Sequence, residues 1–223
     1  MTRHFTIFDN NFLNERYKEN VIATTPSGVM TERGIYGRWT AGEGAIYADF
    51  NQERHVITRD DIPKQNIVRY FVGVDWGYEH KGVMLVIGLD AKGNYYLIEE
   101  HAERRQHIDY WVEKAQKLAN RYGKDIGFYA DSARPEYVDA LYYSGLNAQN
   151  AVKDVIPGIT EVATLIKSDR FFVEENCTSY LEEVDQYIWN TNGDAPIKEH
   201  DDSQDAVRYA IYTDKIIQDQ GFL

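Results

Sequence analysis

Three groups of acidic residues in this 223-residue chain stand where carboxylates do chemistry. Asp75 closes the apolar run Arg69-Tyr70-Phe71-Val72-Gly73-Val74 and is followed by Trp76-Gly77. Asp131 closes Ile126-Gly127-Phe128-Tyr129-Ala130 in the same manner. A buried strand that ends in an acid delivers its carboxylate to the crevice beyond the strand end, where open α/β sheets bind ligands. Two such carboxylates on neighbouring strands repel unless protons or cations come between them. Hard divalent cations such as Mg²⁺ answer that need, because they take oxygen ligands and are commonly held by one or two carboxylates with phosphate and water.

The third group opens the last helical segment, His200-Asp201-Asp202-Ser203-Gln204-Asp205-Ala206-Val207-Arg208-Tyr209-Ala210. Asp202 and Asp205 are three apart and share a helix face. Acids in a first turn also suit the helix macrodipole, so capping accounts for Asp201 or Asp202. A strand-end Asp is by itself more often a turn former or an N-cap, and this reading weighs on Asp131 ahead of Ser132-Ala133-Arg134-Pro135. Asp205 resists it, since Ala206 and Ala210 mark an adjoining face as closely packed, and an acid beside such a face is costly without a partner. Together these acids are what a two-metal phosphodiesterase needs, with ions about 3.5–4 Å apart activating water and stabilising the leaving 3′ oxygen.

The elements that must position them can be read from Arg69 onward. Strands are predicted over 69–75, 82–89 and 95–100, with Asp90-Ala91-Lys92-Gly93-Asn94 as a hairpin turn whose glycine takes positive φ. Trp111, Ala115, Leu118 and Tyr122 recur at helical spacing from about Ile108, and Gly123 stops that helix. A fourth strand follows at 126–131, a short helix at 135–143 and a fifth strand at 148–152. Helices at 159–167 and 178–183 flank a short strand at 170–173, and the last helix runs from about Asp202 to Gln218. Three antiparallel strands followed by strands alternating with helices predict an α/β fold, a mixed sheet with helices on both faces. Residues 1–66 differ: they carry the turn-prone stretches Thr25-Pro26-Ser27-Gly28, Arg33-Gly34 and Gly42-Glu43-Gly44. A short helix at 11–17 and a short strand at 44–50 are expected within this connector, and Asp60-Asp61-Ile62-Pro63-Lys64 reads as its closing linker.

Composition narrows the class. With 43% hydrophobic and 13% aromatic residues the chain can bury a core. It has no apolar run of membrane-spanning length and no basic-then-apolar leader. One cysteine, Cys177, can form neither an internal disulfide nor a zinc site and is expected to be structural. A reducing, cytoplasmic setting fits. The net charge of −12 predicts weak, salt-sensitive and largely sequence-independent DNA binding, because backbone contacts rest on Lys and Arg.

Val72-Gly73-Val74-Asp75-Trp76-Gly77, Tyr129-Ala130-Asp131-Ser132-Ala133 and His200 through Tyr209 resemble, in this order, the nuclease domain of phage DNA-packaging terminase large subunits. The stretch from Gly158-Ile159 to Val173 is similar too, and Asp9-Asn10-Asn11-Phe12-Leu13 and Gly37-Arg38-Trp39-Thr40-Ala41-Gly42-Glu43-Gly44 look like the end of the terminase ATPase module and its linker. The resemblance implies a ribonuclease-H-like fold over 67–223, a trailing segment of the ATPase module over 1–66, and an endonuclease that cuts double-stranded viral concatemers. It also implies Asp75, Asp131 and Asp205 as ligands of two Mg²⁺ or Mn²⁺ ions, with Asp202, or else His200, as an auxiliary ligand or proton-transfer group. The implied partners are double-stranded DNA, the ATPase module of the same full-length chain, the portal protein and the small terminase subunit, in the host cytoplasm and away from membrane. No Gly-x-x-x-x-Gly-Lys-Ser/Thr loop occurs, so the chain reads as a fragment of a longer protein that does not itself hydrolyse ATP.

Other residues carry weaker expectations. Lys153 and Arg134 are candidates for DNA phosphate, against the commoner readings of solvation and simple ion pairing. Arg104, Arg105 and His107 could touch the backbone, although such clusters are usually solvated, and His80 is given no role. A sugar-kinase or actin-like ATPase would need a second glycine-bearing phosphate loop, which Tyr129-Ala130-Asp131-Ser132-Ala133 lacks. A resolvase-like nuclease would carry more basic surface. A catalytically silent docking module for a motor or portal partner fits the acidity and is separated from a nuclease by Mn²⁺ binding.

Overall fold

The computed structural model of the chain describes residues 5–37 and 44–221. The predicted meander is present as β2 (Ile67–Asp75), β3 (Gly82–Asp90) and β4 (Tyr95–Glu103), preceded by a two-residue β1 (Val56–Ile57). The β3–β4 turn is closed by Asp90, whose carboxylate accepts the backbone N–H groups of Lys92 and Asn94 while Gly93 supplies a φ of 83°. Beyond it lie α4 (Ile108–Tyr122), β5 (Gly127–Ala130), α5 (Pro135–Tyr143), β6 (Asn147–Asn150), α6 (Val155–Lys167), β7 (Phe171–Glu174), α7 (Thr178–Glu183) and α8 (Asp202–Asp219). Three short helices, α1 (Glu15–Thr24), α2 (Val29–Gly34) and α3 (Gln52–His55), come before β1.

The seven strands form one sheet in the order β1-β7-β4-β3-β2-β5-β6. Only β3 runs against the others: it pairs antiparallel with β2 and β4, while every remaining pairing is parallel. Side chains alternate between two cores, as the pleat requires. Phe71, Leu85, Leu97 and Tyr129 face α6 and α8, where Ile159, Val162, Val207 and Ile211 are buried. Val72, Val74, Met84 and Phe128 face α4 and α5, and the α4 stripe Trp111, Ala115, Leu118, Ala119 packs on them. Helices thus cover both faces, as the sequence predicts.

The α8 side of the sheet is set by one close approach. A Cβ on Gly73 would lie 2.0 Å from the Ala206 carbonyl oxygen and 2.9 Å from the Ala210 Cβ. Only a residue without a side chain lets α8 settle this deeply against β2.

The N-terminal part departs from expectation in detail. The expected 11–17 helix starts later, because the Asn14 side chain accepts the Tyr17 N–H at 2.8 Å and caps α1 at Glu15. The expected strand over 44–50 does not form: it is a single bridge, Ala45 to Ile188, followed by a turn in which Phe50 N–H reaches the Tyr47 carbonyl. Ile46 and Tyr47 are spent on burial instead, with Tyr47 packed 5.5 Å from the Tyr187 ring. Strand β1 has no counterpart among the predicted elements; it adds to the edge beside β7. The expected fifth strand over 148–152 is shifted to 147–150, because Val152 N–H turns out of the ladder to the Thr213 hydroxyl at 2.8 Å. Of the Gly37–Gly44 stretch, including the Gly42-Glu43-Gly44 turn, residues 38–43 lie outside the described residues.

Gly73→Ala is expected to destabilise the protein by roughly 1–3 kcal/mol, the range for overpacking, and toward the upper end because backbone must move. Urea unfolding measures it. A loss within about 0.5 kcal/mol, typical of a surface change, would show that α8 is not held by this contact.

Candidate functional site

The register of two strands decides where the acids meet. β2 and β5 are parallel with Gly73 opposite Tyr129 and Val74 opposite Ala130, and the Asp131 N–H donates to the Val74 carbonyl at 2.9 Å. One step further on, Asp75 and Asp131 are neighbours on the α8 face, on strands about 4.8 Å apart. Because Ala206 sits on Gly73, the first turn of α8 stands above these strand ends and brings Asp202 and Asp205 toward them. The convergence is registered electrostatically. Burial pushes the Asp75 carboxyl well above the usual carboxylate range, and Asp205, Asp131, Asp202 and Asp201 push it in the same direction. Burial and Asp201 raise Asp202 as well, against the opposing charges of His80 and Lys81.

Cations are drawn into this negative field. Lys153 Nζ donates to Asp131 Oδ1 at 2.6 Å, and the same oxygen accepts the Ala133 N–H at 3.1 Å. Asp131 therefore makes the turn contact that its local sequence suggests and also faces the site. Asp205, buried, accepts Arg208 Nη2 at 2.8 Å on Oδ1 and Lys198 Nζ at 2.9 Å on Oδ2, with the Tyr187 hydroxyl 3.4 Å from Oδ1. Lys198 also lies 3.1 Å from Asp201 Oδ2. Burial works against the Lys198 charge, yet Asp205 and Asp201 raise its pKa. As the side chains stand, no three His, Cys, Asp or Glu among the described residues are grouped closely enough to hold a metal ion. The oxygens of Asp131 and Asp205 are turned to ammonium and guanidinium groups. The donor set itself suits a hard divalent cation: anionic oxygens from three elements, one of them destabilised by its neighbours.

Residues 72–213 match the family model described as the terminase RNaseH-like domain. The chain belongs to this family. Its fold is that of the large terminase of a thermophilic bacteriophage solved in complex with ATP-gamma-S, at 26% identity and a TM-score of 0.83 over 95% of this chain and 55% of that one. The chain thus spans just over half the length of that terminase. Two isolated nuclease domains share the fold at lower identity. The P22 large terminase nuclease domain gives 20% identity and a TM-score of 0.66 over 79% of this chain and 95% of its own. The SPP1 large terminase nuclease domain, solved with bound Mn, gives 17% and 0.59 over 78% of this chain and 99% of its own. No curated protein matches the chain significantly.

Within this terminase RNaseH-like domain, all four acids singled out in the sequence lie at one end of the sheet. His200 is exposed and its backbone is left-handed, with φ 55°. Cys177 is buried and free. Arg134 lies over the Tyr137 ring, 5.1 Å from its centroid. Sequence reasoning missed Arg208 and Lys198. The three-residue spacing of Arg208 from Asp205 was a usable signal, whereas Lys198 reaches its partners only through the fold. It also missed Glu183, whose buried carboxylate accepts the Ser203 N–H at 2.8 Å and so caps α8.

The raised Asp75 pKa fixes the sign of a pH effect. Below the ordinary Asp value of 3.8 both folded and unfolded states are protonated, and there is no penalty. As pH rises through 3.8 the unfolded chain ionises first, so folded stability falls until the raised folded value is passed and stays lower beyond it. Asp75→Asn is therefore expected to melt higher than the parent in metal-free buffer, by a margin that widens from pH 4 toward neutrality. Thermal melts across that range check it, and a variant that melts no higher at neutral pH would show that Asp75 is not under this repulsion.

Proposed function

We propose that this chain is the nuclease part of a packaging terminase, a divalent-metal-dependent endonuclease that cuts double-stranded viral concatemer DNA. The observation that carries the reading is the convergence of Asp75, Asp131 and Asp205, from β2, β5 and α8, on one face at one end of the sheet. Asp75, Asp131 and Asp205 would hold two Mg²⁺ or Mn²⁺ ions, with Asp202 as auxiliary ligand. Ions in such a site supply activation of water and stabilisation of the leaving 3′ oxygen. The chain's own groups prepare the site. Arg208, itself buried, fixes one oxygen of Asp205 and leaves the other to the exposed Lys198, which an incoming cation can replace. Glu183 holds the first turn of α8 in place through Ser203.

Residues 1–66 would be the trailing segment of the ATPase module and 67–223 the nuclease domain. The partners would be double-stranded DNA, that module in the full-length chain, the portal protein and the small terminase subunit, in the host cytoplasm. No helix among the described residues is long and apolar enough to cross a membrane. One observation favours a catalytically silent docking module: Asp131 and Asp205 already have ion-pair partners, as structural acids would.

Cleavage of supercoiled plasmid separates the two. Nicking and linearisation are expected with Mn²⁺, more slowly with Mg²⁺ and not with chelator, and both are expected to vanish in Asp75→Ala and Asp205→Ala. No cleavage by the parent chain, together with no detectable Mn²⁺ binding, would leave the docking module as the better reading.

A further inference from the structure

Of the three cations ion-paired with Asp131, Asp201 and Asp205, one is built differently from the others. The Arg208 side chain is 2% exposed and cannot meet a ligand in solution. Lys198, 70% exposed, is held by two carboxylates as a counter-ion of the α8 N-terminus. The Lys153 side chain is 37% exposed, so it touches Asp131 and still reaches solvent. Only one of its three N–H donors goes to Asp131 in the structure, which leaves donors for a second anion.

Its backbone is fixed on both sides. Ala151 N–H donates to the Ala130 carbonyl at 2.8 Å and Val152 N–H to the Thr213 hydroxyl at 2.8 Å. The Lys153 carbonyl accepts Arg208 Nη1 at 3.3 Å, and the other nitrogen of that guanidinium holds Asp205. Asp154 is then the N-cap residue of α6. Lys153 is thus locked to two of the site acids at once, Asp131 through its side chain and Asp205 through its carbonyl and Arg208. A cation anchored this way loses little freedom when it binds, which distinguishes it from an ordinary surface lysine.

The carboxylates Asp75, Asp131, Asp201, Asp202 and Asp205 outnumber the cations paired with them, Lys153, Lys198 and Arg208, and a phosphodiester cannot accept a hydrogen bond from a carboxylate, so a donor beside them suits phosphate. We propose that Lys153 is a substrate-binding residue of this site, whose ammonium contacts a phosphate oxygen of the DNA strand while remaining next to Asp131. This rests on the nuclease reading above, and it assigns to the chain's own lysine a part of substrate binding that the carboxylates cannot perform.

The test is fluorescence anisotropy with a short duplex DNA across a salt series, in Ca²⁺, on the full chain and on Lys153→Met and Lys153→Arg. Mn²⁺ affinity is measured in parallel without DNA. Loss of one phosphate contact is expected to weaken DNA binding in Lys153→Met and to lower the slope of log K against log salt by about 0.9. Lys153→Arg is expected to keep both, and Mn²⁺ affinity of Lys153→Met to be equal to or higher than that of the parent. If Lys153→Met does not fold, Lys153→Gln serves in its place. Unchanged DNA affinity and slope, with weaker Mn²⁺ binding, would overturn the proposal and leave Lys153 as a group that only orients Asp131. A parent chain that binds neither Mn²⁺ nor DNA would overturn the nuclease reading and this proposal together, whereas a parent that binds both, with the variant unchanged, overturns this one alone.

Discussion

The contact between Gly73 and the Ala206 carbonyl sets the rest of the site. With any Cβ at position 73 that oxygen would stand 2.0 Å away, so α8 lies closer to β2 than a residue with a side chain there would allow. That depth puts the first turn of α8, and not a later one, over the ends of β2 and β5. Asp75 lies two residues beyond Gly73 on the same face of β2, and Asp205 immediately precedes Ala206 on α8. The packing that buries Ala206, Val207 and Ala210 in the core therefore also forces two carboxylates into each other's field.

The electrostatic consequences follow in order. Carboxylates pressed together out of water are unfavourable as anions, and Asp75, without a protein cation of its own among the described contacts, absorbs that repulsion in a raised pKa. Its neighbours are compensated by Lys153, Lys198 and the buried Arg208. The arrangement is held from behind by two more acids. Glu100 of β4 accepts the N–H groups of Ser179 and Tyr180 at 2.8 and 2.9 Å and anchors the start of α7. Glu183 at the end of α7 accepts Ser203 N–H and the Ser179 hydroxyl, passing the constraint on to the start of α8. These glutamates face helix N-termini, where partial positive charge and free N–H groups meet a carboxylate well.

Much of this was legible in the sequence, for identifiable reasons. The runs ending in Asp75 and Asp131 are almost wholly apolar, and such runs leave little choice but buried strands. The α4 stripe and its Gly123 stop follow helical spacing closely enough to fix both ends. The acids stand out because their local roles, turn and cap, do not account for Asp205. What stayed hidden depends on distant partners. The 44–50 stretch has strand composition, yet its aromatic residues are better used against Tyr187. The pairing of Arg208 with Asp205 has a local spacing, but its second bond, to the Lys153 carbonyl, spans 55 positions. Lys198 reads as an ordinary charged loop residue until the chain folds back on α8.

The account turns on whether the acids at the ends of β2 and β5 and on α8 share a metal. The most direct measurement is a crystal of this chain soaked in MnCl₂ and recorded for anomalous scattering at the manganese edge. The account predicts anomalous peaks among Asp75, Asp131 and Asp205, with the Lys198 ammonium displaced from Asp205. No peak there at saturating Mn²⁺, with the lysine and arginine contacts intact, would contradict it and make these carboxylates partners of the fold alone.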